Sequence, residues 1–318
     1  MTGFDFVKNR KIFFTISGVL LLIFLVLYLI NGAVLDITFR GGTRISLECR
    51  EMVDANLAAV KLEEALNKKI NTSVMETVSG SQETAKKTIM LRIDVASQTP
   101  LTPDEEQLVR DTLVKEGFPV ILDSPNNEVV SIEPSIGKET LGKGLLAVLI
   151  SSVLILIYVA WRFSIMSGFS AAVCAVIALL HDCAVMLGVY VAFRLPFNDV
   201  FIPAILTIIG YSINDTIIVY DRIRENAKVM QKSEIGTIVN VSIWQTLSRT
   251  INTTLTTLLS VAVLYIFSAA NNITSLKGFS FSLIIGCISG TYSSVFIAAN
   301  LWHWLRTIRL KAKTASAK

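Results

Sequence analysis

Asp215 and Arg249 are the two residues of this sequence whose chemistry fits worst with their apolar surroundings. Asp215 lies in Gly210-Tyr211-Ser212-Ile213-Asn214-Asp215-Thr216-Ile217-Ile218-Val219, upstream of the Asp221-Arg222 pair. On a helix Asp215 is about 9 Å deeper than Asp221, at about 1.5 Å per residue, too deep for a short side chain to bend back to water. Arg249 stands near the start of the next apolar run. That run returns antiparallel, so the two charges fall at similar depth and can pair. A charge inside a membrane span costs roughly 2.5–3.5 kcal/mol on insertion scales, so each one invites a functional reading. For Arg249 the competing reading is a side chain that snorkels to the interface.

The chemistry these two groups offer is proton exchange. Burial raises a carboxylate's proton affinity and a nearby guanidinium lowers it, so moving Arg249 towards or away from Asp215 switches the site between releasing and accepting a proton. One elementary charge crossing 100 mV carries about 2.3 kcal/mol, enough to bias a two-state element. Arg249, Asn252, Thr253, Thr256 and Ser260 recur at spacings of three and four and share one helical face. Lipid gives such a stripe no partners, so it must face protein or water. Hydrogen bonding to a neighbouring helix is the plainer use of its hydroxyls. His181 and Asp182 fall mid-span, as relay elements or as a satisfied interhelical contact. Asp182 and Asp215 would also meet the two-carboxylate minimum of an aspartyl protease. However, the Gly-x-Gly-Asp context of intramembrane enzymes is missing, since Asn214 precedes Asp215 and Ile213 precedes that.

Other chemistries find no support. The sequence has no phosphate-cradling glycine loop, only His181 and His303 as imidazoles for a metal cluster, and no Ser-His-Asp set in a convincing context. No cofactor and no enzymatic reaction are expected. Energy for any transport would come from an ion gradient or from another protein.

The elements that must position these residues are membrane spans. Of 318 residues, 52% are hydrophobic and 17% charged, with a mean hydropathy of +0.59, outside the soluble globular range. The net charge of +4 comes from basic residues beside apolar runs, without the aromatic-interleaved patch of a nucleic-acid binder. A span needs about 20 apolar residues. Six segments qualify, at 12–31, 141–161, 167–193, 199–220, 247–268 and 278–302. The first follows Lys8, Arg10 and Lys11 but is too long for a signal-peptide core and lacks a small-residue cleavage site, so it is expected to stay as an anchor.

Lys and Arg gather on one set of flanks (Lys8, Arg10, Lys11, Arg162, Arg222, Arg224, Lys228, Lys232, Arg306, Arg309, Lys311), whereas the opposite short loops hold only Arg194 and Lys277. That bias predicts cytoplasmic termini, at 1–11 and in a basic tail at 304–318, and an extracytoplasmic domain over 32–140. Gly286, Gly290 and Ser294 give the sixth span small residues at every fourth position, a close-packing pattern.

The domain over 32–140 reads as βαββαβ, the order of a ferredoxin-like fold, giving a polytopic α-helical protein of one plus five spans with an α+β insert. Alternating Ile37, Phe39, Ile45 and Leu47 predict a strand over 34–49, and Val53, Leu57, Val60 and Leu66 a helix over 53–66. Residues 72–79 and 87–95 form a hairpin around Gly80-Ser81-Gln82. A second helix starts at Thr102-Pro103 with Glu105 closing a capping box and Leu108, Val109 and Leu113 on its buried side. A last strand runs over 128–133. Cys49 is the one thiol of this domain, so it has no internal disulfide; Cys174, Cys183 and Cys287 fall in apolar spans.

With these motifs in view, the sequence resembles the SecF family of protein-export membrane proteins over nearly its whole length. The resemblance rests on the Gly41-Gly42 turn after Phe39, Ser135-Ile136-Gly137-Lys138-Glu139, Tyr158-Val159-Ala160-Trp161-Arg162-Phe163 and Leu180-His181-Asp182. It continues in Tyr211-Ser212-Ile213-Asn214-Asp215-Thr216, Asp221-Arg222-Ile223-Arg224-Glu225-Asn226 and Thr246-Leu247-Ser248-Arg249-Thr250. One departure is Thr38 before Phe39, where the family commonly carries Asp; here Asp36 stands two positions earlier. The resemblance implies a subunit in the bacterial inner membrane that works with a SecD-like partner, the SecYEG translocon and an unfolded preprotein. It uses the proton or sodium motive force without ATP, with Asp215 and Arg249 as the coupling pair. The family belongs to the resistance-nodulation-division superfamily, so half of a small-molecule or lipid exporter is the rival reading.

Overall fold

Lipid leaves a backbone few options, and the six apolar runs all become helices long and apolar enough to cross a membrane. The structure is a computed structural model that describes residues 4–79, 86–95, 100–163, 168–271 and 273–316. The first helix, α1, is Arg10–Asn31, ending at Gly32 with φ 67°. The chain then pairs with a loop of the bundle, Asp36 N donating to the Phe197 carbonyl and Phe197 N to the Val34 carbonyl.

Here the strand expected over 34–49 starts late. Ile37–Arg40 form one helical turn, α2, because Asp36 caps it by accepting from Thr38 N at 3.0 Å. Asp36 thus has a local role two positions before the family's usual place for it. Phe39 packs into the core of the bundle, and Gly41 and Gly42, both at positive φ, turn the chain into the strand.

That strand is β1, Gly42–Cys49, followed by α3 (Ala55–Leu66), β2 (Ile70–Ser79), β3 (Lys86–Val95), α4 (Pro103–Lys115), β4 (Val120–Ile121) and β5 (Glu128–Ile132). The sheet is antiparallel, in the order β2-β3-β1-β4 with β5 also on β1. One face carries Ile45, Leu47, Leu91 and Ile93, buried under Ala58 and Leu62 of α3 and Val109 and Leu113 of α4. The other presents Arg44, Ser46, Arg92 and Asp94, paired across β1 and β3.

The α4 capping box forms as its residues predict, whereas Leu57, Val60 and Leu108 are exposed. In both helices Ala or a neighbouring apolar residue takes the inner position. β4 is an added pairing, and Gly80-Ser81-Gln82 lie outside the described residues.

The remaining spans are α5 (Pro134–Arg162), α6 (Gly168–Ala192), α7 (Phe201–Val229), α8 (Ile235–Ala270), α9 (Thr274–Tyr292) and α10 (Ala299–Ser316), with a π-helical segment, Ser293–Ala298, joining the last two. Several run past the apolar limits read from sequence, because a helix can continue beyond the hydrocarbon that its apolar part must match. The helix of the second span starts at Pro134, within the stretch read as 32–140, and α10 continues through most of 304–318. α7 and α8 extend together and are tied by Arg222 to Gln245 at 2.7 Å and Asn226 to Ser242 at 2.8 Å.

Burial separates the helices into two classes. The apolar stretch of α6 is 61% buried, whereas those of α1 and α5 are 6% and that of α8 is 11% buried. α6, α7 and the last span therefore form the centre, where the site is built.

Candidate functional site

Close approach comes first, because it brings polar groups of different helices within hydrogen-bond range. A Cβ on Gly286 would lie 2.3 Å from Ile208 Cγ1, and one on Gly290 would lie 2.9 Å from Ser212 Cβ. The small-residue pattern of the sixth span is thus a seam against α7. The adjacent row of the same helix, Ser289 and Ser293, turns to α6.

Asp182 of α6 is met at this junction, 1% exposed. It accepts from Ser212 Oγ of α7 at 2.7 Å, Ser289 Oγ of α9 at 2.7 Å and Ser293 Oγ of the π segment at 2.8 Å. His181 Nδ1 lies 3.3 Å from the same carboxylate. A carboxyl group offers lone pairs on both oxygens, and this set of contacts occupies both of them. Asp182 therefore ties three helices together by hydrogen bonds to one carboxyl group. The sequence reading missed Ser212, Ser289 and Ser293. The i, i+4 spacing of the last two was a usable signal once Asp182 was suspected.

Asp215, one turn further along α7 from Ser212, is the opposite case. It is fully buried and neither carboxyl oxygen has a hydrogen-bond partner. Thr250 Oγ1 of α8 is also buried and unpartnered. The charge that acts on Asp215 is that of Arg249, through space. Arg249 is exposed and forms no ion pair with Asp215, so the direct pairing expected from depth does not occur in this structure. A desolvated carboxyl group without a donor is costly, which sets Asp215 apart from the satisfied Asp182. Asp182 and Asp215 do not form a shared-proton dyad, since the serines and His181 occupy Asp182 and nothing bonds Asp215.

The polar stripe of α8 faces away from the bundle. Arg249, Asn252, Thr256 and Ser260 are exposed and Thr253 is half-buried. Their hydroxyls bond back to their own helix, as Thr253 does to the Arg249 carbonyl at 2.9 Å and Thr256 to the Asn252 carbonyl at 3.0 Å. The inner face is instead Ser242, Thr246, Thr250 and Thr254, of which Thr254 reaches Thr291 at 2.7 Å and Tyr211 at 3.3 Å. Asn214 is also exposed. At the far end of α7 Asp221 is held by Arg162 at 3.0 Å and Arg224 at 2.8 Å, as an interfacial anchor. Among the described residues no three of His, Cys, Asp or Glu converge as metal ligands.

Three comparisons extend this picture. The family described as protein export membrane protein SecD/SecF, C-terminal, matches residues 115–308. Protein translocase subunit SecF of Calditerrivibrio nitroreducens is 36% identical over 316 residues, 97% of this chain and 96% of that protein. Protein translocase subunit SecDF of Bacillus subtilis is 35% identical over 98% of this chain and 39% of its own length. Among solved structures, SecDF of Thermus thermophilus, described as a translocon-associated membrane protein, superposes with a TM-score of 0.74 at 29% identity, over 94% of this chain and 38% of that one.

Proposed function

This chain belongs to the SecD/SecF family of protein-export membrane proteins, and from that premise we propose that it is the SecF-type subunit of a Sec-pathway translocase. It acts as a conformational transducer and not as an enzyme. In this reading the protein sits in the bacterial inner membrane with both termini cytoplasmic, the six spans divided one plus five. The sheet domain is a split βαβ, ferredoxin-like unit on the outer side. A SecD-like subunit supplies the other half of the machine. The relatives in which one chain is about two and a half times the matched length, and is named SecDF, support that expectation. The outward face at Arg249 and Asn252, whose side chains lipid cannot satisfy, is the natural place for that neighbour.

The observation that carries the proposal is Asp215, fully buried with no donor and under the field of Arg249. Ion entry and Arg249 movement would alternate at this carboxylate. Each change of occupancy would shift α7 against α8, and the sheet domain would follow to favour outward transit of an unfolded preprotein beside SecYEG. The test is export in cells carrying Asp215→Asn at normal membrane levels. Export should lose its dependence on the gradient and fall; export that remains at the parental rate would sink the mechanism. Varying pH and sodium independently separates the two coupling ions. Copurification with SecD and SecYEG distinguishes this assignment from a small-molecule exporter half.

A further inference from the structure

A second polar site lies between the sheet domain and the bundle. It is a cleft of about 540 Å³ whose floor is formed by Asn31 at the end of α1 and by Arg194 and Pro196 in the connection from α6 to α7. Arg40 of α2 stands at its side, and Lys69 and Arg92 form its roof. Arg194 clasps the floor together by donating to Asn31 Oδ1 at 3.0 Å.

The charges around this cleft do not balance. Its acids are Asp36 and Asp94, and Arg44 holds both, with Nη2 at 2.7 Å from Asp36 and Nε at 2.6 Å from Asp94. Arg40, Lys69, Arg92 and Arg194 are left, and none of the four forms an ion pair with a described residue. Arg92 is the most exacting of them. It lies on the polar face of the sheet, opposite Ser46 and Ser73, with its Nε buried and without a partner. Burial, with Arg44 beside it, pushes the Arg92 guanidinium below the usual arginine value, against the opposing pull of Asp94, Asp36 and Glu128.

We propose that this cleft binds the headgroup of an anionic phospholipid from the leaflet on the sheet domain's side. The position of the floor selects the lipid. Asn31 ends one helix long enough to cross the bilayer and Arg194 follows another, so the cations stand where lipid phosphates lie. A planar guanidinium fork also suits the oxygens of a phosphate diester. A bound lipid would connect the base of the sheet domain to the membrane surface through Arg92 and Lys69. Movement of that domain would then depend on the lipid.

The experiment uses the full-length chain purified in neutral detergent, titrated with phosphatidylglycerol and with phosphatidylcholine and followed by native mass spectrometry. Phosphatidylglycerol should bind more tightly. Arg40→Gln and Lys69→Gln, both at exposed positions, should each weaken it by about fivefold and together by about 25-fold. Lys115→Gln, at the end of α4 on the other face of the sheet, should leave it unchanged. Equal binding of the two lipids, or of the double variant and the parent, overturns the proposal. So does binding of inorganic phosphate without phosphatidylglycerol, which would make the site one for a soluble anion.

Discussion

Ser293 donates to Asp182 at 2.8 Å from the first residue of a π-helical turn, while its neighbour Ser294 bonds the Ser212 carbonyl at 3.1 Å and Thr216 at 2.9 Å. Consecutive residues thus serve two different helices, α6 and α7. Single π turns are rare in ordinary helices and frequent at functional sites. The one here lies beside the carboxylate that joins the central helices.

Removing one donor should therefore loosen the bundle. Hydrogen bonds between neutral groups of membrane helices average about 0.6 kcal/mol, and bonds to charged groups reach about 1.5–3 kcal/mol. Ser293→Ala and Ser289→Ala should each cost about 1–2 kcal/mol, read by denaturant titration in mixed micelles. A loss confined to export, with no loss of stability, would contradict this account of Asp182.

Arg249 acts on Asp215 through space and not through a bidentate contact. Arg249→Lys keeps a positive charge at that position, whereas Arg249→Met removes it. Lys should retain a substantial part of export and Met very little, by reporter secretion at matched protein levels. Equal loss in both would show that the planar guanidinium makes a direct contact with the carboxylate at another stage of the cycle.

The spans and the α4 cap were legible because few structures satisfy a backbone in lipid and because Thr102-Pro103-Glu105 is a local signal that needs no tertiary partner. Ile37 and Phe39 were not. Their alternation suits a strand, but Asp36 caps a helical turn there and Phe39 is drawn into the core of the bundle. At the site, periodicity showed that Arg249, Asn252 and Thr256 share a face but not which way that face looks. Tertiary packing fixes the direction, and α8 turns Thr250 and Thr254 inward. Serines in a span carry no direction of their own, so Asp182's donors emerged only when three helices were placed together.

The seam between α7 and the last span makes a coupled prediction. Gly286→Ala sets a methyl 2.3 Å from Ile208 Cγ1 and should cost about 1–3 kcal/mol by overpacking. Ile208→Ala alone leaves a cavity, at about 2–5 kcal/mol. Because each change makes room for or fills the other, the double variant should be less destabilised than the sum by at least about 0.5 kcal/mol. Strict additivity in the same micelle titration would mean that the two helices separate there at no cost.

The sheet domain carries a pH signature of its own. Lys68 bonds the Glu105 side chain, and the Thr102 N–H adds a second bond at 3.0 Å, which together hold Glu105 below the usual carboxylate value of 4.5. A carboxylate depressed in the folded state stabilises above its unfolded value, and that contribution is lost as pH falls through the folded value. Glu105→Gln should therefore destabilise the domain at pH 7 and make little difference in strong acid. Thr102→Ala instead removes the hydroxyl cap on the Glu105 N–H, about 1 kcal/mol, while keeping the backbone N–H, and so should remain destabilising in acid. Cys49, buried within the domain and its one cysteine, reports opening. Its labelling by a pyridyl disulfide, which reacts in acid as well as at neutral pH, can be followed on the Cys49 peptide during thermal unfolding. If Glu105→Gln shifts that midpoint equally at both pH values, the Lys68 bond contributes nothing electrostatic and the variant acts through packing alone.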